Sequence, residues 1–158
     1  MNVKLSRSAS AVTLIELMIT IAILAIAALG ALGYQYHAVR HVQIARAQMV
    51  ATRITQMLLE DWKSTGGDSA YNPIGLGLGI TGTFGTITPG GSGVIYNITQ
   101  DNIAMRITLA SVNVVEGTTT LPLRQITVTV QWRKDFGSGT IGASDPSLQY
   151  TTYVRTDT

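Results

Sequence analysis

Residues 12–34 read VTLIELMITIAILAIAALGALGY and carry one charge, Glu16, in 23 positions. At about 1.5 Å per residue a helix over this stretch is roughly 35 Å long. A bilayer's hydrocarbon core is about 30 Å thick, so Val12 to Tyr34 is read as a transmembrane helix. The carboxylate is the anomaly. Inside a spanning helix it costs about 2.5–3.5 kcal/mol, and such residues usually have a partner and a function. No cation lies within the stretch to supply that partner.

Upstream, residues 1–11 read MNVKLSRSASA, with Lys4 and Arg7 and no acid. A cleaved secretory signal has an apolar region of about 7–15 residues, with small residues after it. Here the apolar run is longer, and the small residues Ala9, Ser10 and Ala11 precede it. A plain single-span anchor accounts for the length of the run but not for Glu16.

Ala11-Val12-Thr13-Leu14-Ile15-Glu16-Leu17-Met18 resembles the type IV prepilin site, written as Gly followed by Phe-Thr-Leu-Ile-Glu. That family includes type IV pilins, minor pilins and type II secretion pseudopilins. Ala11 stands where the pattern has Gly, and Val12 where it has Phe; both keep the site small or apolar. The resemblance implies cleavage by a prepilin peptidase between Ala11 and Val12, N-methylation of Val12, and a Glu16 that sets subunit register. In that role Glu16 faces the terminal ammonium of a neighbouring subunit. A carboxylate near a helix N-terminus is favoured by the macrodipole, and a buried one is tolerated when paired.

Further partners implied are other pilin subunits along the N-terminal helix, an inner-membrane assembly platform, and membrane lipid before assembly. The implied location is the inner membrane, single-pass, N-terminus cytoplasmic and head extracytoplasmic, then a pilus or pseudopilus. Lys4 and Arg7 agree with that orientation, while Arg40 and Arg46 beyond the other end oppose it; the resemblance decides.

Beyond Tyr34 there is no Gly or Pro until Ser64-Thr65-Gly66-Gly67, a stop signal. Val39, Ala47, Val50, Ile54, Met57, Leu58 and Trp62 recur at roughly helical spacing. One helix from about Val12 to Lys63 is therefore expected, apolar all round over 12–34 and amphipathic over 35–65. Gly30 and Gly33 weaken its apolar half by about 1 kcal/mol each relative to Ala. They serve close helix packing, or a point where the helix can stretch.

Residues 66–93 hold ten of the 16 glycines and form a long Gly-rich connection. In pilins this place is the αβ loop. Residues 94–158 then show four alternating runs. They begin at Val94, Ile103, Ile126 and Leu148, and the run Ile126, Val128, Val130, Trp132 is the clearest. Period-two alternation buries one face of a sheet. The expected fold is α+β and pilin-like: a long N-terminal helix packed on an antiparallel sheet of about four strands. The last strands resemble those of minor pilins of the PilV type and their type II secretion counterparts.

Other chemistry is set aside. The chain has 158 residues, 46% of them hydrophobic and 13% charged, with no cysteine and a net charge of +2. Disulfides and thiol chemistry are excluded, and no basic patch points to nucleic acid. Gly77-Leu78-Gly79-Ile80-Thr81-Gly82 spells GxGxxG but lacks the strand and helix that the phosphate mechanism needs. His37 and His41 have a spacing that can bind zinc. No Glu follows His37 and no third ligand is near, so they are read as interfacial polar residues. Asp135, Asp145 and Asp157 are read as turn formers. Asn97-Ile98-Thr99 spells a glycosylation acceptor within an expected strand. No cofactor, no metal site and no catalytic constellation are expected. The expected function is a minor pilin or pseudopilin, a structural subunit of a type IV pilus or secretion pseudopilus rather than an enzyme. The alternatives are an unprocessed single-span protein whose β domain binds a ligand or partner, and an anchored enzyme.

Overall fold

The computed structural model of the chain describes residues 13–116, 119–135 and 139–156. Helix α1 runs Leu14–Ser64. Its apolar first part has no Pro, and Gly30 and Gly33 do not break it. The chain divides into two compact units, one ending at Val42 and the other beginning at Gln43.

The end of α1 follows from Gly66. Its φ of 70° is the left-handed conformation that Gly adopts without penalty. The Gly67 N–H then donates to the Trp62 carbonyl at 3.0 Å, and the Gly66 N–H to the Lys63 carbonyl at 3.1 Å. Those two bonds make a Schellman motif, which satisfies carbonyls that the helix end leaves open.

In the second unit α1 buries Ala47, Ala51, Ile54, Thr55, Leu58 and Trp62. Most of these fall on the amphipathic stripe read from the sequence. Val39, assigned to that stripe, lies in the first unit and is 58% exposed.

The sheet has five antiparallel strands in the order β1-β2-β3-β4-β5: Thr81–Gly82, Val94–Gln100, Ile103–Glu116, Thr119–Trp132 and Ser147–Arg155. The α+β arrangement agrees with the alternating pattern, and the strand count is one higher. The addition, β1, is two residues within the Gly-rich connection, paired Thr81 with Asn97 and Gly82 with Tyr96. So short a segment has no alternation to read. Gln100-Asp101-Asn102-Ile103 turns β2 into β3, with φ of 51° at Asp101 and 64° at Asn102. Asp and Asn tolerate this left-handed pair, which matches the twist of a hairpin.

Strands β3 and β4 reach further than alternation indicates. Their register shifts between Asn113 and Val115, and a bulge turns successive side chains out of phase. Pro122 also argues against a strand. It lies where β4 has no β5 partner, since that pairing begins at Leu123 with Arg155.

Tyr96, Ile98, Met105, Ile107, Leu109, Ile126, Val128, Val130 and Trp132 are buried, as their alternation requires. The Gly-rich connection is pinned rather than loose. Tyr71, Ile80 and Ile87 are buried in the same core. The Tyr71 ring stacks on Trp62 at 5.5 Å with 12° between planes. Gly93, at φ 82°, passes so close to β3 that a Cβ would stand 2.7 Å from the Leu109 carbonyl oxygen.

Candidate functional site: the start of the apolar helix

Thr13 begins the site. Its hydroxyl accepts the Glu16 backbone N–H at 3.3 Å, and its carbonyl accepts the Leu17 N–H at 3.1 Å. Thr13 is therefore the N-cap and Glu16 the third helical residue, the spacing of a capping box. The sequence reading assigned Glu16 and missed Thr13. The signal is the pattern Thr-x-x-Glu directly before an apolar run.

Glu16 lies in the first turn of α1, where the helix dipole favours a negative charge. Its carbonyl accepts the Thr20 hydroxyl at 2.7 Å. Around it Leu14, Ile15, Leu17, Met18 and Ile19 are each more than half exposed. Every residue from Leu14 to His37 is exposed. Over residues 14–34 this surface is apolar on every side, so it calls for lipid or protein around it. The helix is long and apolar enough to cross a membrane, with no part of its most apolar window buried. Ala11 and Val12, the expected cleavage and methylation residues, lie outside the described residues, as do Lys4 and Arg7.

The motifs set aside find no ligand-binding frame. Gly77, at φ 69°, caps a short 3-10 turn over Pro73–Leu76, and β1 follows. GxGxxG thus has no strand before it and no helix after it. Asp145 accepts backbone N–H groups from Gly142 at 2.8 Å and Lys134 at 3.3 Å. Those bonds, the one from Gly142 foremost, hold its carboxyl below the ordinary range, as for a turn-forming carboxylate. Asp135 pairs with Arg133. Asp157 lies outside the described residues. Among the described residues no group of three or more His, Cys, Asp or Glu is placed to hold a metal ion. Tyr71, Tyr96 and Trp132 belong to the core, while Phe84 and Tyr153 are more than half exposed.

Residues 6–32 match the family model of the prokaryotic N-terminal methylation motif. That motif is the type IV prepilin signature, so the chain carries the mark of a processed, pilin-like substrate. It points to a structural subunit rather than an enzyme. No curated protein and no solved structure matches the chain.

Proposed function

We propose that the chain is a minor pilin or pseudopilin, held in the inner membrane and then inserted into a type IV pilus or a type II secretion pseudopilus. The observation that carries this reading is Glu16. It is the one charged residue of the apolar stretch 12–34, it stands in the first turn of α1, and residues 6–32 around it match the methylation motif.

In this reading a prepilin peptidase cuts between Ala11 and Val12 on the cytoplasmic side and methylates the Val12 amine. The head, on the far side of the membrane, stays extracytoplasmic. The assembly platform then moves the helix from lipid into a bundle of like helices. Both surroundings satisfy the apolar surface, so burial alone gives little axial preference. Electrostatics supplies it. An unpaired carboxylate among apolar helices is strongly unfavourable, and a partner ammonium removes most of that cost. The Val12 amine of an adjacent subunit is the partner, because cleavage creates a cation four residues before Glu16. Docking out of register leaves both charges unpaired.

Mass analysis of the membrane-extracted protein tests the first step. The expected mature chain begins at N-methylated Val12. A chain retaining residues 1–11 overturns the reading and favours an unprocessed single-span protein with a partner-binding β domain. Glu16→Ala tests the second step, with cleavage retained and incorporation into filaments impaired.

A further inference from the structure

His37 and His41 are the chain's two histidines. Both lie within α1, and both are exposed. Residues four apart on a helix share a face, one turn above the other. Among the described residues neither ring makes a hydrogen bond or ion pair. The Tyr36 ring meets His37 edge-to-face, with ring centroids 5.8 Å apart. A closed, four-ligand structural site needs more ligands than this face offers. An open site, completed by water, does not.

We propose that His37 and His41 form an open two-imidazole chelate for a divalent transition metal of the Zn2+ or Cu2+ class. Imidazole suits these ions, whereas Mg2+ and Ca2+ prefer oxygen ligands. The second ring binds at the high local concentration fixed by the helix, so two ligands together exceed either alone. The site has a mechanical consequence. Gly33 lies one turn before His37, and Gly lowers helix propensity. A metal bridging His37 and His41 clamps the turn that follows this weak point. Arg40 stands about 80° round the helix from the midpoint of the pair, so its charge repels the ion across water, where screening is strong.

The test is Zn2+ titration of the full chain in detergent micelles, with no histidine tag. One Zn2+ per chain is expected. His37→Ala and His41→Ala should each weaken binding about tenfold or more. The double variant His41→Ala/Val42→His keeps two imidazoles but sets them about 140° apart around the helix. Val42 is 67% exposed, so the exchange removes no packing. This variant should bind as weakly as the single-histidine chains. Wild-type affinity in it, or the absence of one-to-one binding by the wild type, overturns the proposal. N-terminal processing is read separately, so either result leaves the pilin reading to its own test.

Discussion

The Thr13 hydroxyl accepts the backbone N–H of Glu16 at 3.3 Å, so the residue that opens the helix also anchors the backbone of the one charged residue in its apolar stretch. Thr13→Ala should cost about 1 kcal/mol at the helix start. Amide exchange of Leu14 to Leu17 in micelles should quicken, and Thr13→Ser should restore it. Equal exchange in Thr13→Ala and wild type would rule out the cap.

Glu16→Gln separates charge from shape. The substituted side chain keeps its size and its capacity to accept a hydrogen bond but cannot form an ion pair. Breaking a buried pair costs about 3–5 kcal/mol. Cleavage at Ala11/Val12 should persist while incorporation into filaments falls at least about tenfold. Quantified subunit in sheared filaments reads this, and wild-type levels would mean that register does not depend on the charge.

Arg124 ties the sheet to the exit of α1. Its Nη1 donates to the Gly67 carbonyl at 2.7 Å and its Nε to Asn113 Oδ1 at 3.2 Å. Arg124→Ala should destabilise the head by about 1–3 kcal/mol, the range for charged hydrogen bonds and the groups left behind. Arg124→Lys should recover only part, since one ammonium lacks the guanidinium's fork. Chemical denaturation followed by Trp fluorescence measures both.

Tyr71 gives the head a pH dependence on the alkaline side. Burial first, then the nearby Asp61 carboxylate, holds its phenol well above the ordinary range. Below the unfolded value, about 10, the phenol is protonated in both states and stability is complete. Above it the unfolded chain ionises and the folded one does not, so stability falls as pH rises. Tyr71→Phe should flatten this fall, leaving the smaller share from Tyr96, whose phenol burial also raises. Among the described residues no group meets the Tyr71 hydroxyl in hydrogen-bonding geometry, the Asp61 carboxylate being only nearby, so the loss at neutral pH should stay within about 1 kcal/mol. Denaturation midpoints between about pH 8 and 11, on either side of the unfolded phenol value, compare the two slopes.

Local patterns were legible wherever one physical requirement dominates a run of residues. The apolar surface of residues 14–34 needs no tertiary partner to be recognised, and Glu16 is conspicuous because nothing else there is charged. Ile126, Val128, Val130 and Trp132 alternate because one face of β4 is dry. Gly66 marks the helix end because few other residues adopt its backbone conformation cheaply. Thr13 was legible too, as the first member of Thr-x-x-Glu.

By itself, then, the sequence determined a long apolar helix with one carboxylate in its first turn, an amphipathic continuation and an alternating sheet. These depend on periodicity and on charge in an apolar run, which are local. Only the tertiary structure decided that the Gly-rich connection is anchored by Tyr71, Ile80 and Ile87, and that it contributes β1. It alone extended β3 and β4 through a bulge and past Pro122, and joined Arg124 to Gly67 across 57 positions. Those features arise from pairings between distant segments, where a single well-placed partner outweighs the propensity of the residues on either side.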